Sequence, residues 1–445
     1  MYGKGARRCI ATRYADGVTE SLRATDYRRR VVDDELDELL TGVAAVSLEG
    51  AKGVGKSSTA AERVDAEYRL ESPTVRSLVE ADPARLVDGR RVLLDEWQHL
   101  PFTWDVVRRA VDAGAAPGQF LLTGSASLTD PGRHSGAGRI LRLRMRPLAL
   151  AERGYEPSVA LADLLTGRRL AIAGATHVDL PTYVAEIVAS GLPGIRQLPA
   201  RIRRAQLDSY VDRVVDRDIA ELGSKVRNPS AVKRWMAAYA AATATTTTHA
   251  KIATAASPGT REQPSRSTLS AYRDALERLF ILDSLPGWLP SNAHLNELAA
   301  SPKHHLADPA LAVALLGLDE DALLEGDDRG ATMFRDGPFL GALFESLVSL
   351  SLRVYAQRSE ARVSHFRKHR GDHEVDLIVE RRDGRCVAME VKLSPLVTDD
   401  DVRHLLWLRE RLGADLLDSA IITTGRDAYR RPDGIAVIPA ALLGP

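Results

Sequence analysis

Val43 to Leu48 is a short, mostly apolar run bounded by glycine on both sides, Gly42 before it and Gly50 after it. A run of that length without polar alternation fits a strand buried on both faces of a parallel sheet. Similar runs recur at Val92–Leu94 and Phe120–Leu122, and the stretches between, Ser57–Leu70 and Trp104–Ala113, read as helical. Strands alternating with helices predict an α/β layer with a parallel sheet. Upstream, the basic cluster Arg28–Arg30 leads into Val31-Val32 and then Leu36, Leu39 and Leu40 at helical spacing. The residues before it have no periodicity and are expected to be loose.

Beyond Pro181 the pattern turns helical, with apolar or amphipathic stretches at Tyr183–Gly191, Leu207–Leu222 and Ala231–Ala242. Leu269, Tyr272, Leu276 and Leu279 share one helix face. The Ala/Thr-rich segment Ala237–Ala256, with threonine at 245–248, is expected to be a flexible insertion whose Ala-rich beginning can be helical. A polar Pro/Gly/Ser linker follows at Ser257–Arg266. From Pro338 the order becomes helix, hairpin, helix, strand. Asp383-Gly384 between two β-rich runs is a tight-turn signal, so Glu374–Val379 and Cys386–Lys392 are expected to pair antiparallel. The chain divides accordingly into a loose segment 1–25, an α/β domain 26–180, a helical domain 181–335 and a final α/β domain 336–445. Its 445 residues suit two or three domains of roughly 150 residues each.

Composition narrows the class only slightly. Hydrophobic residues make up 44% and charged residues 27%, which is ordinary for a globular chain. Lys plus Arg (60) balance Asp plus Glu (60), so any pull toward nucleic acid or an acidic membrane must be local. Cys9 and Cys386 match no metal-ligand spacing and fit a reducing compartment. The apolar stretch Pro309–Leu318 is far below the ~20 residues that span a bilayer. The N-terminus, Met-Tyr-Gly-Lys-Gly-Ala-Arg-Arg, has no apolar core of a secretory signal. The expectation is a soluble cytoplasmic protein with no membrane partner.

The strongest chemistry lies in Gly50-Ala51-Lys52-Gly53-Val54-Gly55-Lys56-Ser57, followed by Ser58. It fits G-x-x-x-x-G-K-[ST] and stands where a phosphate-binding loop belongs, after an apolar strand and before a helical pattern. The glycines let backbone N–H groups of the loop turn toward phosphate oxygens. Lys56 is placed to reach the β- and γ-phosphates of ATP, and the Ser57 hydroxyl to ligate Mg²⁺. Val92-Leu93-Leu94-Asp95-Glu96 is the partner motif, with Asp95 holding Mg²⁺ through water and Glu96 deprotonating the attacking water. Thr123 and Ser125 close a third strand, where they either sense the γ-phosphate or cap a turn. Arg139, in a Gly-rich loop, is either a finger on a neighbour's nucleotide or a solvated charge.

These motifs together resemble a family. The elements are Tyr27–Leu40, Leu48-Glu49 with the loop, Leu94-Asp95-Glu96-Trp97-Gln98, Leu122-Thr123-Gly124-Ser125, and Met145-Arg146-Pro147-Leu148 followed by Glu152. Further along come Ser190-Gly191-Leu192-Pro193, Asp216-Arg217-Asp218-Ile219, and Ser301-Pro302-Lys303 preceding Asp308. From Tyr27 onward the chain resembles the prokaryotic AAA-type ATP-binding proteins with a C-terminal domain of unknown function. The resemblance implies a P-loop AAA-type ATPase domain, a helical winged-helix-like middle and a C-terminal nuclease-like fold, with no agreed substrate.

The final domain carries its own constellation. Period two puts Glu390 and Lys392 on one strand face, and Asp376 on the adjacent strand can join them. Two carboxylates with an ammonium suit metal-assisted phosphodiester hydrolysis. The arrangement D-x(n)-E-x-K resembles the PD-(D/E)xK core of restriction-endonuclease-like domains, with Glu345 as a helix-borne acid. An exposed Glu-x-Lys pair or a fold reused without chemistry is the alternative. Arg362, Arg367, Lys368, His369 and Arg370 stand nearby, and His404 is expected at the surface. For DNA contact, the candidates in the middle are Arg266–Arg273 as a recognition helix and the basic cluster Arg196, Arg201, Arg203 and Arg204. A protein partner or a homo-oligomer is the other expectation for this half.

Overall fold

The computed structural model describes residues 14–15, 18–20, 27–126, 137–223, 228–257, 265–289, 301–326, 338–368 and 373–445. Most of the loose segment, Ser135 and Gly136 before Arg139, most of the polar linker, and His369 and Arg370 lie outside the described residues. The chain separates into two compact units. The first comprises Met1–Arg29, Glu35–Gly50 and Gly55–Met145; the second comprises Arg30–Asp34, Ala51–Val54 and Arg146–Pro445.

The first unit is built on seven strands, β1 (Tyr14–Ala15), β2 (Val18–Glu20), β3 (Ala45–Glu49), β4 (Ala66–Arg69), β5 (Val92–Asp95), β6 (Phe120–Gly124) and β7 (Ile140–Arg144). Their order is β1-β2-β4-β5-β6-β3-β7, and β4, β5, β6, β3 and β7 run parallel. Ala45, Val46 and Leu48 on β3, Val92 to Leu94 on β5 and Phe120 to Leu122 on β6 are buried, as continuous apolar runs require in a sheet covered on both faces. Two expectations need correction. The helix after the loop is not Ser57–Leu70 but Lys56–Ala61, and β4 takes up the remainder. Val64, Ala66, Tyr68 and Leu70 are buried at period two, a strand signal that the helical reading overlooked. β7 was likewise not anticipated, because exposed Arg142 interrupts its apolar residues, so this edge strand lacks the continuous apolar run of β3, β5 and β6.

The second unit contains a helical part and a second sheet. Helices at Leu180–Ala189, Ala200–Arg213, Pro229–Ala241, His249–Ala255, Arg266–Arg278 and Pro309–Leu315 replace strands almost completely up to the long helix Phe339–Arg358. Short strands β8 (Val159–Ala160) and β9 (Gly174–Ala175) precede them. The Ala/Thr-rich segment is not a flexible insertion. Ala238 to Thr243 are buried, and Thr243 and Thr245 donate to the carbonyls of Ala240 and Ala242 at 2.6 and 2.7 Å. Short hydroxyl side chains here satisfy backbone acceptors where the helix ends. The segment is pinned by His304, whose carbonyl accepts from Ala244 N and whose amide donates to Thr245 O.

After the long helix come β10 (Arg362–Arg367), β11 (Glu374–Glu380), β12 (Cys386–Lys392), a helix Asp399–Leu412, β13 (Leu416–Thr423), β14 (Asp427–Arg430), β15 (Ala436–Pro439) and β16 (Leu443–Gly444). The sheet order is β10-β11-β12-β13-β15-β14-β9. β10, β11 and β12 are antiparallel neighbours, with Gly384 at φ 82° in the turn, whereas β12, β13 and β15 are parallel. The expected helix, hairpin, helix and strand are all present. Phe339–Arg358 is long and apolar enough to cross a membrane, but 78% of that apolar window is buried inside the unit, so it serves as a core helix.

Candidate functional site

The parallel register places the ends of β3, β5 and β6 together, and with them Lys56, Ser57, Asp95, Glu96, Thr123 and Ser125 of the predicted site. Gly53 and Gly55 adopt φ 81° and 104°, the left-handed conformations that a Cβ disfavours; Gly50 does not need one. Lys56, 4% exposed, donates to Gly50 O at 2.9 Å and lies 3.4 Å from Ser125 Oγ. Ser57 Oγ donates to Asp95 Oδ1 at 2.6 Å, and Thr123 Oγ1 donates to the same oxygen at 2.5 Å. Glu96 N in turn donates to Thr123 Oγ1 at 3.1 Å. The Glu96 carboxylate is held between Ser125 Oγ and Gln98 Nε2. Its backbone sits at φ 52°, ψ 51°, unusual for a residue other than glycine and typical of strained functional positions. The oxygens of Ser57 and Asp95 are hard donors of the kind that Mg²⁺ takes, so these residues fit the ion.

Thr123 and Ser125 form the hydrogen-bonded link between Asp95, Glu96 and Lys56. Ala51–Val54, the tip of the loop, belongs to the second unit. There Lys52 Nζ pairs with Asp218 Oδ1 at 2.7 Å, Tyr210 donates to Lys52 O at 3.1 Å, and Arg30 donates to Val54 O at 2.8 Å. Ser58 starts no further contact of the site. Arg139 is not brought to the loop. It precedes Ile140, which pairs with Ala45 at the beginning of β3, whereas the loop follows the end of β3. It pairs instead with Asp112 at 2.8 Å, and its side chain is 46% exposed.

In the second unit, Asp376 and Glu374 lie two residues apart on one face of β11 and meet Glu345 of the long helix. What joins them is a residue that the D-x(n)-E-x-K pattern does not include. Lys303 Nζ lies 2.9 Å from Asp376 Oδ1, 3.0 Å from Glu345 Oε1 and 3.0 Å from Glu374 Oε1. Ser301-Pro302-Lys303 was visible as a motif, but nothing in its spacing assigned the lysine a role. Lys392 lies 3.5 Å from Glu390 Oε2, as period two predicts, and Val391 N donates to Asp376 Oδ2 at 3.0 Å. Glu390 Oε1 is buried and finds no hydrogen-bond partner.

Burial opposes the charge on both Asp376 and Lys303, but their mutual attraction prevails. Lys303, Val391 N and Lys392 hold Asp376 at about 2, and the surrounding carboxylates raise Lys303 well above an ordinary lysine. Burial pushes Glu345 up to about 8, and burial with the Asp376 carboxylate pushes Glu390 well above the usual range. These residues do not fit a resident metal ion. The place among these oxygens is taken by Lys303 Nζ, at the 2.9 to 3.0 Å of ammonium hydrogen bonds. Among the described residues no group of three or more His, Cys, Asp or Glu is placed to hold a metal ion.

The basic candidates for DNA are largely engaged. Arg196 clamps Glu186 with both terminal nitrogens at 2.7 Å, and Arg203 lies 3.4 Å from Glu320. Arg201 and Arg204 are exposed. Arg273 pairs with Asp274 and Glu277, and Arg367 with Glu374. His404 is not a bare surface residue, since its Nδ1 lies 3.2 Å from His373 Nδ1.

The fold and loop geometry of the first unit are those of an AAA-type P-loop ATPase-like domain. In agreement, residues 43–153 match the family described as AAA domain. Residues 181–322 and 340–443 match two domains of unknown function, DUF8612 and DUF4143. The chain is 26% identical over 426 residues to the uncharacterized proteins Rv2008c of Mycobacterium tuberculosis and Mb2031c of Mycobacterium bovis, covering 93% of this chain and 83% of theirs. A Walker-type ATPase of Pyrococcus abyssi, PABY2304, is 16% identical with a TM-score of 0.39, over 65% of this chain and 95% of that one. That likeness is too slight to bear on the fold.

Proposed function

We propose that the chain binds ATP at Gly50–Ser57 and hydrolyses it with Mg²⁺, coupling the nucleotide cycle to DNA or a protein partner through its second half. The observation that carries this reading is the chain of contacts from Ser57 through Asp95 and Thr123 to Glu96. Ser57 and Asp95 are the residues that would hold Mg²⁺, which supplies positive charge for the phosphates when bound. Lys56 leaves the Gly50 carbonyl to take the β- and γ-phosphate oxygens, which the flanking loop amides also bind. Glu96 orients the attacking water and accepts its proton on the carboxylate that Ser125 and Gln98 keep in place. Thr123 and Ser125 transmit the state of the γ-phosphate through Asp95 and Glu96. In a homo-oligomer, Arg139 acts as a finger on a neighbour's nucleotide.

Within this reading, residues 26–180 are the ATPase domain, 181–335 a winged-helix-like middle and 336–445 a restriction-endonuclease-like domain, in a cytoplasmic protein. The order β10-β11-β12-β13, antiparallel then parallel, with helices Phe339–Arg358 and Asp399–Leu412, supports the last assignment. A second reading, an ATP-gated switch whose last domain recognises DNA or protein without cleaving, is favoured for that domain by Lys303 among its carboxylates. The test is steady-state phosphate release in Mg²⁺, with and without DNA of several forms. The ATPase reading expects turnover that requires Lys56, and Lys56→Ala should lose ATP affinity by calorimetry. Unchanged affinity in that variant would make the loop assignment wrong, and bound ATP without phosphate release would leave only the switch.

A further inference from the structure

The disagreement between the nuclease-like constellation and its contents has a structural explanation that goes beyond the ATPase reading and does not depend on it. Lys303 is 2% exposed, and its ammonium has three N–H donors for three carboxylates on two different elements. Its backbone is fixed as firmly as its side chain. Lys303 N donates to Leu285 O and Leu285 N to Lys303 O, each at 2.9 Å. The segment following Leu285 is laid along β10, where Trp288 N donates to His365 O at 2.7 Å and His365 N to Pro286 O at 2.9 Å. His365 Nε2 also lies 2.9 Å from Ser301 O, two residues before the lysine. Lys303 is therefore delivered to the carboxylates by a hydrogen-bonded strip of chain rather than by a mobile side chain swinging in from solvent.

We propose that Lys303 is the built-in cation of this carboxylate cage, occupying the place of a divalent metal and keeping the last domain from metal-dependent cleavage. The second observation that points to a cation place is Glu390, 4% exposed, whose Oε1 is buried with no donor to it while its carboxyl faces the Asp376 carboxylate. Lys303 satisfies Glu345, Glu374 and Asp376 but does not reach that oxygen; Lys392 approaches only the other one. A cage that was designed for an ammonium alone would not need the fourth carboxyl. With the ammonium in place, a divalent ion faces like-charge repulsion at contact distance and lacks its oxygen ligands. The lysine thus gives the domain the stability of a filled cage without the chemistry of a metal.

The test is a Mn²⁺ titration of the full nucleotide-free chain, read by electron paramagnetic resonance, for the wild type, Lys303→Ala, and Lys303→Ala with Asp376→Asn. Any ion at Ser57 and Asp95 is common to all of them and cancels. The expected result is one additional bound Mn²⁺ per chain in Lys303→Ala, absent from the wild type and from the double variant. If Lys303→Ala folds only when Mn²⁺ is supplied, that rescue supports the proposal through the same mass action. A folded Lys303→Ala chain that takes up no additional Mn²⁺, or one that keeps the additional ion when Asp376→Asn is added, would overturn it. The wild-type chain gives an answer even if the variants do not fold. Native acylation followed by mass spectrometry should leave Lys303 unmodified with and without millimolar Mn²⁺, and its labelling on addition of Mn²⁺ would show that the metal displaces it.

Discussion

Glu96 combines the features of a positioned base: a left-handed backbone, a carboxylate fixed by Ser125 and Gln98, and an amide bonded to Thr123. The conformation costs of order 1–3 kcal/mol and persists because the surroundings hold it, here the Thr123 contact and the buried Trp97 beside it. Glu96→Gln keeps the side-chain size and hydrogen bonds while removing the basic oxygen. ATP should then bind and persist, with single-turnover hydrolysis slowed by roughly 10²–10⁴. Turnover within a few-fold of the wild type would move the base elsewhere. The sequence made Asp95 and Glu96 legible because the motif is local. It could not reveal that Thr123 and Ser125 lock them, because that depends on β6 lying between β3 and β5.

At the scale of elements, the later motifs, from Ser190-Gly191 to Asp308, turn out to be joints within the second unit. Ser190-Gly191 meets Asp308, which accepts from Ser190 Oγ at 2.7 Å and Gly191 N at 2.6 Å, and caps the helix Pro309–Leu315 through Ala310 N at 2.9 Å. Gly191 must be glycine there, since a Cβ would stand 2.8 Å from Pro147 Cβ and 2.9 Å from Leu148 N. Asp308→Ala removes a cap and two buried bonds to a charged acceptor, a loss of about 3 kcal/mol. A urea titration following the second unit should show it as a lowered midpoint. A loss below about 0.5 kcal/mol, the range of ordinary surface changes, would contradict the joint. Asp216-Arg217-Asp218 was legible as a motif, but its pairing with Lys52, 166 residues away, was not.

For the whole molecule, the half-buried His249 makes stability depend on pH. Burial holds His249 at about 4, with the His304 and Arg273 charges acting in the same direction, against an ordinary value near 6.5. Unfolding restores the ordinary value, so acid protonates the unfolded chain first. The stability that neutral His249 confers is complete above about 6.5 and is lost as pH falls through about 4. Its ring stacks with Tyr239 at 6.5 Å and its Nδ1 has no hydrogen-bond partner, so His249→Phe preserves the packing. Relative to the wild type, that variant should become progressively more stable between pH 6.5 and 4, measured by urea unfolding at each pH. A difference independent of pH would mean that His249 is not held neutral.

Local periodicity and short motifs were enough to predict the parallel sheet, the loop with Asp95 and Glu96, and the β11–β12 hairpin on whose second strand Glu390 stands beside Lys392. Each depends on residues within a few positions of one another, where spacing translates directly into geometry. The β4 strand was also within reach, through the period-two spacing of Val64, Ala66, Tyr68 and Leu70, but the helix Lys56–Ala61 directly before it carried the helical reading onward. Only the tertiary structure decided that Arg139 faces away from the loop, that the threonine-rich segment is packed rather than loose, and that Lys303 stands among Glu345, Glu374 and Asp376. Those outcomes depend on strand order and on a strip of chain laid along an edge strand. Residues 42 to 73 positions apart meet there because the fold, and not their spacing, makes them neighbours.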